Sequence, residues 1–315
     1  MPESGSQVIL CDLPVRFDTY NGCTHACTYC FARKKRDIER VGYHESPEAL
    51  ERWIEGARTQ DTCWCDWTIP LHWGGMSDPF QPAEREHGRS LACLRVFART
   101  GYPVVISTKG TLLTEPPYLD VLRECNAAVQ VSLVSPRFDK LEPGAPSYAE
   151  RLRALPTLAG AARRLIVRVQ PYALGLVDDV CNALLGWKAA GVHGIVVEGM
   201  KRSSKRPGLV KVGGDWCYPV VALRRELEAI KARCREVGLR FYAGENRLRS
   251  LGDDPCCCGV ADLPGWEVNR SNLNHLRDPG GITYRPRMQE PGTASLFRSI
   301  AQTTILGAAV KRMSF

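Results

Sequence analysis

No stretch of this 315-residue chain reaches the roughly 18 consecutive apolar residues that a membrane-spanning helix needs. Its opening, MPESGSQVILCDLPVRF, has no basic segment followed by a long apolar one, so no secretory leader and no membrane partner are expected and the chain reads as cytoplasmic. Internal repeats and low-complexity tracts are missing, and 28 Gly with 21 Pro is ordinary usage, which excludes collagen-like and disordered architectures. Acidic residues are slightly short: 34 Asp and Glu against 42 Lys and Arg leave a net charge of +8, a mild pull on polyanions that admits a nucleic-acid partner without naming one.

Cysteine is plentiful, at 14 residues. A disulfide scaffold does not fit, because Cys23, Cys27 and Cys30 crowd together and Cys256, Cys257 and Cys258 are adjacent; such spacing suits metal ligation or thiol chemistry. Cys93, Cys125, Cys181 and Cys234 sit in apolar or helical contexts, where a reduced thiol is a small hydrophobe.

Short runs rich in Val, Ile and aromatic residues at 68–74, 102–108, 128–133, 165–171, 194–199 and 239–244 alternate with helical periodicity at 84–100, 117–124, 147–162, 177–190 and 220–237. Repeated strand–helix units imply right-handed crossovers and a parallel sheet covered by helices. Six strands, with a seventh admissible near the amino terminus, predict an α/β fold: a partial (β/α)6 barrel of the TIM type over residues 1–250, followed by an irregular, cysteine-containing extension at 251–315. Functional residues then belong at the carboxyl ends of the strands. GGMSDPFQP after residue 73, STKG at 107–110, SLVSP at 132–136 and Gln170 all fall there. The basic stretch at 201–214 reads as a mobile loop.

The phrase TYNGCTHACTYCFARKKR is the most informative. Three thiolates within eight residues can converge on iron or zinc. Zinc needs a fourth ligand, and His25 is the nearest candidate; a four-iron cluster held by three thiolates keeps one iron free of the protein.

Cys23, Cys27 and Cys30 in this spacing, with Phe31 after the last and a partial barrel behind them, resemble the radical S-adenosylmethionine superfamily. GCTHACTYCFAR, GGMSDPFQPAE, STKG and LEPGAPSYAERLRAL resemble its spore photoproduct lyase-like branch. The resemblance implies that the three cysteines hold a [4Fe-4S] cluster whose remaining iron takes the amino and carboxylate groups of S-adenosylmethionine. It further implies that an external one-electron donor such as flavodoxin or ferredoxin drives formation of a 5'-deoxyadenosyl radical. By the same resemblance Gly74 and Gly75 contact the methionine amino group and Lys109 and Ser132 its carboxylate. Tyr29, Phe31, Ser77, Asp78, Ser107 and Arg168 are counted as facing the same cofactor. For Asp78 a turn role through Pro79 stands beside this one, and Arg168, in an otherwise apolar strand, calls for a partner, with Glu198 on the next strand available.

The branch's characterised member reverses a thymine cross-link in DNA, which makes a nucleobase, thymine first, the implied substrate. A small molecule, a peptide or RNA as substrate, and a zinc-stabilised binding module without activity, are the alternatives. In that member a cysteine preceding the Ser-Asp pair returns hydrogen to the product; here Met76 stands there, and a thioether has no S–H bond to give. Cys65 and Cys258 are therefore candidate hydrogen donors, and Cys63, Cys65, Cys256, Cys257 and Cys258 a candidate second metal site or inert thiols. Glu245 and Asn246, just past the last strand, are candidate substrate contacts or backbone caps. Arg33, Lys34, Lys35 and Arg36 after the cysteine loop and Lys201, Arg202, Lys205, Arg206 and Lys211 in the basic stretch could meet phosphates, with Trp64, Trp67, Trp73, Trp216 and Trp266 as candidate stacking surfaces.

Overall fold

The computed structural model describes residues 11–34, 37–59 and 69–269. Strands β1 (Arg16–Phe17), β2 (Leu71–Trp73), β3 (Val104–Thr108), β4 (Ala127–Ser132), β5 (Arg164–Tyr172) and β6 (Gly194–Gly199) are followed by three small strands, β7 (Lys201–Arg202), β8 (Val210–Val212) and β9 (Asp215–Cys217), and then by β10 (Arg240–Ala243). The main sheet is wholly parallel, in the order β1–β2–β3–β4–β5–β6–β10. β1 and β10 are its edges and do not pair, so the barrel stays open. The first strand has too little sequence for a periodic signal; its place is set by pairing, Arg16 against His72 and Phe17 against Trp73.

Helices α1 (Pro47–Thr59), α2 (Arg89–Thr100), α3 (Pro116–Glu124), α4 (Tyr148–Ala159), α5 (Val177–Ala189) and α6 (Val220–Val237) cover the outer face. α1 goes beyond the periodicities recognised in the sequence, although Leu50, Trp53 and Ile54 supply a buried stripe. The helix expected at 84–100 is split by Gly88, whose φ of 61° is left-handed. The break lets the fully buried Glu84 turn back and accept hydrogen bonds from the N–H groups of Ser90 and Leu91, both at 2.8 Å, where a carboxylate complements the helix dipole. Ser147 and Glu150 form a reciprocal capping box at the start of α4.

Alternate strand residues divide the sheet. Ile106, Val129, Val131, Leu165, Val167, Ile195 and Val197 pack outward with the helices, together with Cys93, Cys125 and Cys234, which behave as the small hydrophobes expected. His72, Ser107, Gln130, Arg168, Gln170 and Glu198 join through hydrogen bonds on the concave face. At the amino-terminal end of the barrel Cys256, Cys258, Val260, Leu263, Trp266 and Val268 pack against Leu13, Val105 and Ala128 and form a floor. Trp266 Nε1 donates to Asn126 at 2.7 Å, and the Asn269 N–H to the Asp12 carbonyl at 2.9 Å. The extension expected from residue 251 is thus packed on the barrel as far as 269; its remainder lies outside the described residues.

The segment expected as a loop at 201–214 is largely a separate antiparallel sheet, ordered β7–β9–β8, carried on the carboxyl end of β6. Among the described residues no helix is long and apolar enough to cross a membrane. Because Trp266 is 4% exposed and central to the floor, Trp266→Ala is expected to cost about 3–5 kcal/mol in urea unfolding; an unchanged midpoint would mean that the floor adds nothing to the core.

Candidate active site at the open end of the barrel

The three cysteines lie on the loop that leaves the carboxyl end of β1. Two consecutive tight turns shape it: the Ala26 N–H donates to the Cys23 carbonyl at 3.3 Å and the Cys30 N–H to the Cys27 carbonyl at 3.1 Å. Ala26 between them takes a φ of 52°, unusual for a residue with a side chain and a sign that the surroundings impose the bend. Those surroundings are the sequence motifs singled out above. Gln81 accepts from the Thr24 N–H at 2.6 Å and donates to the Gly22 carbonyl at 2.9 Å. The Thr28 N–H reaches the Leu141 carbonyl at 2.9 Å, and Arg33 donates to the carbonyls of Ala26 and Cys27, both at 3.2 Å.

His25, expected as the nearest fourth metal ligand, turns the other way. It is 1% exposed, with Nδ1 3.0 Å from the Gly144 carbonyl and Nε2 3.1 Å from Asp78 Oδ2. Nδ1 is bonded to Gly144 and Nε2 is turned toward Asp78, so the imidazole does not join the thiols. Cys23 and Cys30 lie close enough to Cys27 to couple electrostatically with it. Burial pushes the Cys23 thiol up to about 12 and the Cys27 thiol up to about 11, the latter partly offset by Lys109. Among the described residues no three His, Cys, Asp or Glu side chains close round a single ion. Three neighbouring thiols supply one donor for each of three irons of a multi-iron cluster, while His25, turned to Gly144 and Asp78, does not provide the fourth ligand expected for tetrahedral zinc.

Asp78 is buried. Its oxygens accept from the Phe80 N–H at 2.9 Å across Pro79, from Thr108 Oγ1 at 2.7 Å and from the Lys109 N–H at 2.6 Å. Burial alone would raise its pKa, but the His25 charge and these hydrogen bonds hold it down to about 2. It fastens the cysteine loop to the end of β3, and the turn role foreseen for it is present. Ser77 donates to the Tyr20 carbonyl at 2.6 Å and likewise braces the loop. Gly74 has a φ of 93°, and a Cβ there would stand 2.2 Å from the Ser107 carbonyl, so close strand packing by itself demands glycine.

A second brace is built on Glu142 and Arg151, to which the sequence assigned no role. Tyr29 donates to the Glu142 carboxylate, Arg151 bonds its other oxygen at 2.6 Å, and Arg151 also donates to the Ser132 carbonyl at 2.8 Å. Glu142 and Arg151 are each 2% exposed. Lys109 Nζ stands 3.9 Å from Glu142 and 5.9 Å from the centre of the Tyr29 ring. The structure therefore gathers Lys109, Tyr29 and Cys27 at one place, with Phe31 exposed nearby in sequence. The signal available beforehand was the pair of opposite charges in LEPGAPSYAERLR, which a spacing of nine residues conceals.

On the concave face, His72 Nε2 lies 2.9 Å from Ser107 Oγ, Ser107 donates to Gln130 Oε1 at 3.1 Å, and Arg168 donates to both, at 3.2 and 2.7 Å. Arg168 continues to Gln170, Gln170 to Glu198, and Lys201 to the other oxygen of Glu198. The partner foreseen for Arg168 is thus reached only through Gln170, and Glu198 is neutralised by Lys201 instead. Below this ladder Gln130 Nε2 donates to the Cys258 carbonyl at 3.0 Å, which places Cys258 in the floor. Cys258 and Arg249 hold the neighbouring Cys257 thiol below its ordinary range.

Glu245 caps the turn 246–251 and pairs with Arg247 at 2.8 Å, the capping alternative, while Asn246 accepts from the Arg249 guanidinium at 2.6 Å, a side-chain contact and not a backbone cap. Arg33 is tied to Glu39 and the cysteine loop, not free for phosphate. Trp73 and Trp266 are core residues, and Trp216 is half-buried beneath Lys205. Cys63, Cys65, Trp64, Trp67, Lys35 and Arg36 lie outside the described residues, as does the side chain of Lys34.

Residues 18–168 match the family model of the radical SAM superfamily. Uncharacterized proteins of Mycobacterium bovis and Mycobacterium tuberculosis are 29% identical over 204 residues, 60% of this chain. The match spans 59% of the length of these relatives. A spore photoproduct lyase mutant with bound AdoMet and dinucleoside spore photoproduct superposes with a TM-score of 0.59 at 14% identity, covering 72% of this chain and 75% of the other. Streptococcus suis SuiB bound to S-adenosylmethionine gives 0.51 at 13% identity, covering 74% and 51%. At such identities the likeness is one of fold.

Asp78 generates a pH signature. With the folded carboxyl held near 2 and an unfolded Asp titrating near about 4, its stabilisation is complete above about pH 4 and drains away as the pH falls through about 2. Asp78→Asn is expected to be less stable at neutral pH and to show a shallower loss of stability between about pH 4 and pH 2 in denaturant titrations; equal slopes would contradict the buried ion pair.

Proposed function

Through residues 18–168 this chain belongs to the radical SAM superfamily, and from that premise we propose that it is a radical S-adenosylmethionine enzyme acting on a nucleobase, thymine or modified thymine in DNA. The observation that carries the first half is the withdrawal of His25 into its contacts with Gly144 and Asp78, which reserves Cys23, Cys27 and Cys30 for a [4Fe-4S] cluster with one iron left for the cofactor. Cluster and S-adenosylmethionine together supply, on one-electron reduction by a flavodoxin- or ferredoxin-type donor, a 5'-deoxyadenosyl radical able to take hydrogen from an unactivated carbon.

The chain's own residues bind, orient and enclose. Lys109, half-buried beside Tyr29, offers a point charge for the methionine carboxylate at the end of β3, with Ser132 at the end of the adjacent β4. By the same likeness the backbone of Gly74 and Gly75, at the end of β2, meets the methionine amino group. The floor built from 256–268 shuts the far end of the barrel against water.

The nucleobase half rests on two supports. The spore photoproduct lyase of similar fold holds a dinucleoside lesion. The small sheet at the carboxyl end of β6 also exposes Arg202, Lys205, Arg206 and Lys211 beside the barrel mouth, which suits backbone phosphates. A base in a duplex must leave the stack to reach the mouth. Met76 at the position of the relative's hydrogen donor favours modification or rearrangement over simple reversal.

Cys27→Ala is expected to lose cluster iron on anaerobic reconstitution and to yield no 5'-deoxyadenosine on reduction; retained iron and turnover would falsify the cofactor assignment. Replacing Lys205, Arg206 and Lys211 together by Glu is expected to weaken duplex DNA binding and reduce the slope of log affinity against log salt by about 3. An unaltered slope would remove this sheet from the DNA interface.

A further inference from the structure

Arg16 projects from β1 with its stem beneath Gly75; a Cβ on that glycine would come within 3.0 Å of Arg16 Cδ and 3.4 Å of Nε. The missing side chain is what leaves room there. Arg16 Nε is buried with no hydrogen-bond partner, and among the described residues no carboxylate pairs with the guanidinium. Asp18, two residues on, directs Oδ1 to the N–H groups of Met76 and Ser77, at 3.1 and 3.3 Å. Among the described residues Arg168, also on the concave face, bonds only the neutral oxygens of Ser107, Gln130 and Gln170.

His72 lies between the two arginines, opposite Arg16 in the strand register and bonded to the same Ser107 hydroxyl as Arg168. Burial first, then Arg168 and Arg16, lowers its pKa well below the ordinary range, so it is neutral and neither balances nor adds to their charge. Ser107 gives its proton to Gln130, so His72 Nε2–H donates to Ser107 and the ring stays fixed between the cations. Two guanidinium groups facing one concave surface without a direct counter-charge, one of them with a buried donor unmet, is costly unless an anion completes it.

We propose that Arg16 and Arg168 form an anion site on the concave face of the barrel, and that the group it holds is a phosphate of the substrate. Two planar forks suit a phosphate, which has oxygens for both, better than a single carboxylate. Naming phosphate rests on the nucleic-acid reading above; the anion site itself rests on the two arginines. The carboxylate of the cofactor is assigned elsewhere, to Lys109 beside Tyr29 and Cys27. The ladder from Arg168 through Gln170 ends on Glu198, which Lys201 neutralises, so the unbalanced positive charge of the concave face lies toward β1, a polarity that orients a substrate bearing one phosphate.

The test is titration of inorganic phosphate into the reconstituted full chain, kept anaerobic and saturated with S-adenosylmethionine, read by phosphorus NMR line broadening. Saturable binding is expected, weakened about tenfold or more in Arg16→Gln and in Arg168→Gln, and weakened less in Arg16→Lys, which retains the charge but not the planar fork. Melting curves identify any variant that fails to fold, in which case the other two decide. Binding unchanged in Arg16→Gln and Arg168→Gln, or binding abolished by S-adenosylmethionine, overturns the proposal, the latter by showing a cofactor carboxylate site.

A second arm compares thymidine, thymidine 5'-monophosphate and the dinucleoside monophosphate TpT. Tighter binding of the monophosphate than of thymidine, lost in Arg16→Gln, places a terminal phosphate in the site; the same advantage for TpT alone places a phosphodiester there. Thymidine binding without any phosphate effect defeats the anion site and leaves the nucleobase reading standing. Phosphate binding with no gain from any nucleoside keeps the anion site and defeats the nucleobase reading.

Discussion

A buried contact between His25 and Asp78, 3.1 Å long, ties the cysteine loop to the strand ends, and the rest of the site depends on it. A buried ion pair contributes little to net stability, because desolvation offsets most of the attraction, but it is demanding about geometry. Here that demand falls where three thiols must be presented together. Asp78 also receives the N–H of Lys109 and the hydroxyl of Thr108, so the loop after β1, the turn after β2 and the end of β3 are fixed by one carboxylate. Glu142 does the same work on the other side, joining Tyr29 of the loop to Arg151 of α4 and, through it, to the end of β4.

The brace accounts for a feature of the sequence that motif reading alone leaves open. GGMSDPFQP and LEPGAPS resemble recurring phrases of one superfamily branch, yet several of their polar side chains do not face the barrel mouth. Ser77, Asp78, Gln81 and Glu142 are nearly all buried and bonded to the cysteine loop or its neighbours. Their chemistry is positional: they hold the donors in place, as the outer partners of a metal site do. The concave ladder is different in kind. His72, Ser107, Gln130, Arg168 and Gln170 line the space a substrate would enter, and the charge on that face is only partly balanced from within.

Much of the fold was legible because parallel strands buried on both faces read as Val- and Ile-rich runs, and five of the helices carry a clear apolar stripe. β1 was not, since two residues held only by pairing leave no pattern. The small sheet at 201–217 looked like a loop because its strands are two or three residues long and mostly exposed, with lysines where a core would put valines. At the site, residue type, spacing and resemblance made candidates of the cysteines, Lys109 and Arg168. They could not show that His25 points away from the thiols or that Arg168 meets Glu198 only through Gln170, because those outcomes depend on contacts between segments as far apart in the chain as 25 and 144. Arg16 escaped notice for the same reason: its place beside Gly75 and opposite His72 is set by strand pairing.

The central claim is that three thiols hold a cluster with one iron open to a sulfonium cofactor. Mössbauer spectroscopy of the anaerobic protein enriched in the iron isotope tests it most directly. The account predicts four irons per chain, with the parameters of a single one shifting when S-adenosylmethionine is added. Irons that all remain unchanged, or a protein that retains zinc and binds no iron, would contradict it.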